Sequence, residues 1–170
     1  MLSCFCVKAE TIEVTPDSTL NHVCLVVQNV NQEINFYQDV LGFKITDMGI
    51  RSGKEIESAL GLPSGTKFKI YRASSPDGHF FVELIHFLKP VSQGSIHILP
   101  ATYRGFNHFG IEVNDVDETY KILKKADTKI ISKPVVLKES GAKLFFAYDP
   151  EGNRIEFFKP KIQEVTKHDY

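Results

Sequence analysis

Hydrophobic and polar positions along the chain follow two periodicities, one of strands and one of helices, and the order in which they alternate is used twice. From Leu20 to Val27 apolar residues run almost continuously, with β-branched residues on both faces, which predicts a strand covered on both sides. Asn29 and Asn31 are candidate N-caps, because a short side-chain acceptor satisfies an unpaired amide of the first helical turn. Ile34, Tyr37, Val40 and Leu41 then recur at helical spacing, and Gly42 supplies the left-handed residue that ends the helix. Phe43 to Ile50 reads as a second strand. Lys67 to Ser74 and His79 to Leu88 read as a hairpin across Pro76-Asp77-Gly78, where proline sets one dihedral and glycine accepts a positive one.

The same order returns downstream. Phe106 to Val113 predicts a strand, Asp115 or Asp117 caps a helix bearing Tyr120, Leu123 and Ala126, and Ile130 to Ser132 and Val135 to Leu137 predict short strands around Pro134. Lys143 to Tyr148 and Asn153 to Phe158 close the pattern as a second hairpin. The stretch Leu20 to Lys44 lies on Phe106 to Ile130 without a gap, at the 86-residue separation of His22 and His108. Asn21 meets Asn107, Val27 meets Val113 and Val30 meets Val116. Each copy is followed by a Pro-acid-Gly turn and a β-rich strand with one glutamate, Glu83 in the first and Glu156 in the second. A repeat of this length governs the whole fold assignment.

The pattern predicts an α+β fold of two tandem βαβββ modules that pair about a pseudo-twofold axis, so that equivalent residues converge on a common cleft. Residues 1–19 read as an N-terminal extension, 20–160 as a single domain and 161–170 as a tail. Within the domain, the modules run from about 20 to 90 and from about 106 to 160, with a Pro- and Gly-bearing linker at about 91–105. Arg51 to Gly65 has no counterpart of similar character in the second module. Its Lys54 to Leu60 stretch predicts a short helix closed by Gly61, serving either as a lid or as a surface ornament.

Composition narrows the classes of function. The 170 residues are 42% hydrophobic and 24% charged, a globular balance that buries roughly two-thirds of the unfolded surface. Net charge is -1 and the basic residues are scattered, which argues against a nucleic-acid partner. No apolar run reaches membrane-spanning length, and the opening Met1 to Lys8 lacks the basic lead and apolar length of a secretory signal. Three cysteines, Cys4, Cys6 and Cys24, make no disulfide framework and suit a reducing, cytoplasmic setting. Cys4 and Cys6 read either as a C-x-C pair or as incidental thiols of a loose terminus.

Chemistry concentrates at the repeated positions. A lone histidine in an apolar strand is ordinarily a hydrogen-bonded core residue, and a lone strand glutamate ordinarily faces solvent. Here His22, Glu83, His108 and Glu156 occupy equivalent places in two modules, and the carboxylates stand among Phe, Val, Leu and Ile, where an unpaired charge is costly. Two imidazoles and two carboxylates suit one divalent transition metal, among Ni, Co, Zn, Mn and Fe. The remaining histidines, His79, His86 and His97, read as structural or surface residues. Arg104 and Tyr103 offer either an anion-binding pair or a solvated linker.

The motifs NHVCLVVQNVNQEINFYQDVLGF, VELIHF, NHFGIEVNDVDE and FAYDPEGNRIEFF resemble those of the vicinal oxygen chelate superfamily of glyoxalases, bleomycin-resistance proteins and dioxygenases, over about Leu20 to Pro160. The resemblance implies that the two modules form a cupped, eight-stranded mixed sheet around a metal cleft, and it places the family's metal positions on His22, Glu83, His108 and Glu156, a set similar to that of glyoxalase I. It implies a lyase or isomerase moving a proton α to the carbonyl or thioester of a small molecule, lactoylglutathione lyase-like or methylmalonyl-CoA epimerase-like, with Glu156 as base and Glu83 as second choice. It also implies a possible homodimer. Two departures separate the chain from glyoxalase I: Val26 and Phe87 stand where that enzyme has an arginine and an asparagine for glutathione. The alternatives are a drug- or metabolite-binding protein without turnover and a ferrous dioxygenase.

Overall fold

A computed structural model of the chain describes residues 20–94, 98 and 100–161. The N-terminal extension with Cys4 and Cys6, His97 and most of the C-terminal tail lie outside the described residues. The first module runs β1 (His22–Val26), α1 (Val30–Asn35), β2 (Lys44–Ser52), α2 (Lys54–Leu60), β3 (Lys67–Ser74) and β4 (Phe81–Lys89). The second runs β5 (Phe109–Glu112), α3 (Val116–Lys125), β6 (Val135–Val136), β7 (Lys143–Tyr148) and β8 (Arg154–Lys159).

The fold is α+β, and its eight strands form two four-stranded mixed sheets ordered β1-β4-β3-β2 and β5-β8-β7-β6. The two orders are the same permutation, with each module's first strand parallel to its last and the remaining neighbours antiparallel. Register therefore puts equivalent residues side by side. Cys24 pairs with Glu83 across β1 and β4, and Gly110 pairs with Glu156 across β5 and β8.

Local chemistry explains most boundaries. The Asn29 side chain accepts from the Gln32 N–H and starts α1, and Asp115 accepts from the N–H groups of Asp117 and Glu118 and starts α3. Beyond Asn35 the first helix widens into a π-helical turn over Phe36–Val40, which brings the adjacent Phe36 and Tyr37 into the core together before Gly42, at φ 73°, ends it. Ile130 forms only an isolated bridge to Ala147, and the strand around Pro134 shrinks to two residues, since proline gives the ladder no N–H.

One apolar core joins the modules. Leu25, Val27, Tyr37, Val82 and Leu84 of the first pack in the same cluster as Phe109, Leu123, Phe145, Ile155 and Phe157 of the second. The polar seam between modules is the turn before β8. The Glu151 carboxylate accepts from the backbone N–H groups of Gln28 and Asn29, both at 2.6 Å, and the Glu151 N–H donates to Glu33 Oε1 at 2.9 Å.

In one respect β1 departs from its sequence pattern. Leu25 is buried, but His22, Cys24 and Val26 on the opposite face are exposed, so in a single chain the strand is covered on one side. The core-facing alternation of Val82 and Leu84 likewise turns Phe81 and Glu83 away from the helices. No helix of the described residues is long and apolar enough to cross a membrane.

Candidate metal centre

On the open face of the first sheet, strand alternation and register set His22, Cys24, Phe81, Glu83 and Arg72 together, Arg72 lying opposite Glu83 across β3 and β4. His22 Nε2 stands 4.0 Å from Glu83 Oε2. The imidazole stacks on Phe81 with ring centroids 4.8 Å apart, and the Arg72 guanidinium covers that phenyl ring at 4.1 Å. The Cys24 thiol donates to Glu83 Oε2 at 3.3 Å. Although Cys24 is open to solvent as a residue, the packing around its sulfur, followed by the hydrogen bond to Glu83 and that carboxylate's charge, pushes the thiol up to about 11.

The second sheet repeats the pair more tightly, with His108 Nε2 3.4 Å from Glu156 Oε2. His108 Nδ1 lies 2.9 Å from Asn107 Oδ1. The orientation of that amide is set by its neighbours: Asn107 Nδ2 donates to the Ala101 carbonyl, and Asn107 Oδ1 also accepts from Arg154 Nη1 at 3.2 Å. Nδ1 is thus placed to donate to the amide oxygen, which turns Nε2 toward Glu156. The first module uses the same device, His22 Nδ1 lying 3.1 Å from Asn21 Oδ1. An amide that holds the imidazole by Nδ1–H and leaves Nε2 as the donor atom is how metal-binding histidines are oriented.

Each pair fits a divalent transition ion. With metal–donor bonds of roughly 2.0–2.3 Å, neighbouring donors lie roughly 3–3.7 Å apart and opposite donors somewhat beyond 4 Å. The 3.4 Å pair of the second module falls in the range for neighbouring donors, and the 4.0 Å pair of the first is a few tenths of an ångström wider. Among the described residues, the group of three or more potential ligands with all donor atoms within 4.8 Å of one another is His22, Cys24 and Glu83. The four repeated positions thus come together two by two within the chain, and the second pair does not join the first.

Other singled-out residues fall elsewhere. His86 turns to the helix side of β4, where its Nδ1 lies 3.2 Å from the Val27 carbonyl oxygen, and the exposed His79 places its backbone N–H on Asp77. Phe87 packs against Phe68, and Val26 is exposed. Tyr103 and Arg104 line a cavity of about 270 Å³ together with Phe106, Asn107, Tyr148 and Arg154, next to His108. Sequence reading passed over Cys24, Arg72, Asn107 and Arg154 as site residues. The repeated Asn-His dipeptide signalled Asn21 and Asn107, whereas Cys24 and Arg72 become visible only through the pairing of β1, β3 and β4.

Comparison with known proteins agrees with the fold. The chain is similar to the uncharacterized protein YwbC of Bacillus subtilis, 28% identical over 141 residues that make up 82% of this chain and 96% of that one. It is 22% identical over 152 residues to the lactoylglutathione lyase of Neisseria meningitidis, covering 84% of this chain and 91% of that enzyme. It is also 28% identical to a probable chloroplastic lactoylglutathione lyase of Arabidopsis thaliana, of which it spans 35%. Its fold matches the crystal structure of a glyoxalase family protein from Bacillus cereus with a TM-score of 0.72 at 22% identity, over 87% of this chain and 99% of that one. A glyoxalase/dioxygenase from Nostoc punctiforme matches with a TM-score of 0.62 at 19% identity, over 90% and 99% of the respective chains. Residues 19–157 match the model of one family, and the chain belongs to the glyoxalase/bleomycin resistance protein/dioxygenase superfamily.

Proposed function

We propose that the protein is a divalent-metal-dependent lyase or isomerase that moves a proton α to the carbonyl or thioester of a small molecule. The observation that carries this reading is the duplicated Asn-oriented His–Glu pair, His22 with Glu83 and His108 with Glu156. The likeness to lactoylglutathione lyases supports it. When bound, the divalent ion acts as a Lewis acid toward a substrate oxygen. Glu156 takes the α-proton and returns it at the neighbouring position, and Glu83 is the second candidate for that role.

A second copy of the chain completes the centre in this reading. The two pairs do not share one cluster within the chain, and the β1 face bearing His22, Cys24 and Val26 lies open. A twofold homodimer lets each centre take His22 and Glu83 from one protomer and His108 and Glu156 from its partner.

The substrate side departs from glutathione. Val26, on the face that carries His22, offers no charge to a carboxylate, and Phe87 is committed to Phe68. Methylglyoxal with glutathione is accordingly expected to turn over weakly or not at all, and methylmalonyl-CoA is the first thioester to assay. The reading is tested by metal analysis of protein purified without chelators. Stoichiometric transition metal, lost in a folded His108→Ala variant, is the expected result. Metal retained by that variant at the parent level refutes the assignment, and a protein that binds carbonyl compounds without metal or turnover is instead a metabolite-binding member of the family.

A further inference from the structure

The repeated halves differ at one position that the duplicated His–Glu pairs leave unused. Cys24 follows His22 by two residues on the same face of β1 and pairs in register with Glu83 of β4. Its sulfur lies 3.3 Å from Glu83 Oε2, and all three donor atoms fall within 4.8 Å of one another. The matching residue of the second module is Gly110. A Cβ there would stand 3.1 Å from Phe158 Cε1 and 3.5 Å from Glu156 Oε2, so that half has no room for a thiol without moving the phenyl ring. The first module thus offers three donors of three chemical kinds, and the second offers two.

We propose that Cys24 is a ligand of the bound metal, a thiolate donor that joins His22 and Glu83 on the first module's side of the centre. This rests on the metal-binding reading of the site and adds to it a donor that neither the repeat nor its second half supplies. The spacing suits the assignment. A thiolate at roughly 2.3 Å and a carboxylate oxygen at roughly 2.1 Å, on adjacent positions of one ion, stand roughly 3.1–3.6 Å apart, against 3.3 Å for the existing contact. The imidazole is held from the other side by Asn21 and leans on Phe81, so Nε2 already faces the same space. A soft thiolate also biases the site toward zinc and cobalt over manganese and magnesium.

Cobalt(II) provides the test, because a coordinated thiolate gives it an intense near-ultraviolet charge-transfer band that nitrogen and oxygen ligands do not. The experiment uses full-length protein with Cys4→Ser and Cys6→Ser, which leaves Cys24 as the only thiol of the three in the sequence. Cobalt titration is expected to produce the band at one equivalent. Cys24→Ser is expected to bind cobalt without the band and to hold zinc at least about tenfold more weakly, with manganese affinity less affected. His108→Ala is expected to lose the band together with the metal, because the shared centre needs both modules. Stoichiometric cobalt bound without the band overturns the thiolate assignment while leaving the His–Glu centre standing. A band kept at parental intensity in His108→Ala overturns the shared centre on which this inference rests. Absence of cobalt binding in every variant overturns both this inference and the metal-dependent function on which it rests.

Discussion

Replacing Glu33 by glutamine is expected to stabilise the protein, and to do so increasingly as pH rises. Glu33 is fully buried on α1 at the seam between the modules. Its Oε1 accepts from the Glu151 N–H, while its Oε2 is buried with no hydrogen-bond partner among the described residues. Burial first, and the nearby Asp149 second, push the carboxyl up to about 9 from an ordinary value of 4.5, against a smaller opposing pull from the Glu151 N–H. Because the folded value lies above the unfolded one, the protonated group's contribution is fully present below about pH 4.5. It is lost progressively as pH rises toward 9, since the unfolded chain releases the proton and the folded chain keeps it. One proton per pH unit corresponds to about 1.4 kcal/mol, so wild-type stability falls by about 2–3 kcal/mol from this group between pH 5 and pH 7. Glutamine has no proton to lose, and its amide oxygen can keep the Glu151 N–H as donor. Asp149, pushed up to about 6 chiefly by burial, loses its share between its ordinary value of 3.8 and 6 in both proteins, so its effect cancels in the comparison. Urea unfolding at pH 5 and pH 7 measures the difference. The glutamine variant should gain about 2–3 kcal/mol on wild type across that interval, and parallel pH profiles for the two proteins would refute a neutral, buried Glu33.

Asn107→Ala removes the acceptor that orients His108 and should weaken metal affinity about 10–100-fold while circular dichroism stays at the parent signal; unchanged affinity would show that the amide does not set the imidazole. His22→Ala and His108→Ala proteins, each inactive alone, should recover about a quarter of parental metal sites when refolded together in equal amounts, because half the dimers are mixed and each holds one intact centre. No recovery on mixing refutes a shared site. Leu84→Ala empties a fully buried position in the common core and should cost about 2–5 kcal/mol in urea unfolding, and a cost under about 1 kcal/mol would place Leu84 outside the packed core.

Much of the architecture is legible in the sequence because it is set by interactions between near neighbours. The cap at Asn29, the left-handed stop at Gly42 and the short helix from Lys54 to Leu60 depend on a few consecutive residues, and each stands where the pattern puts it. The strand alternation of β4 turns Glu83 away from Val82 and Leu84, so its face was fixed by parity alone. The repeat carried the rest, since two modules with one pattern adopt one strand order.

What the sequence by itself determined, then, is the module, its duplication, and the recurrence of one histidine and one glutamate at equivalent places in each half. Tertiary structure decided how these parts meet. Register across β1 and β4 brought Cys24 to Glu83, two strands 59 residues apart in the chain, which no local period encodes. Packing of α1 against the turn before β8 buried Glu33 and widened the helix to seat Phe36 and Tyr37. The same docking left the two His–Glu pairs apart within one chain. Alternation assigns a side chain to a face of its own sheet, but the distance between faces of different sheets depends on how the apolar surfaces of the two modules fit, and that is a property of the whole packed core.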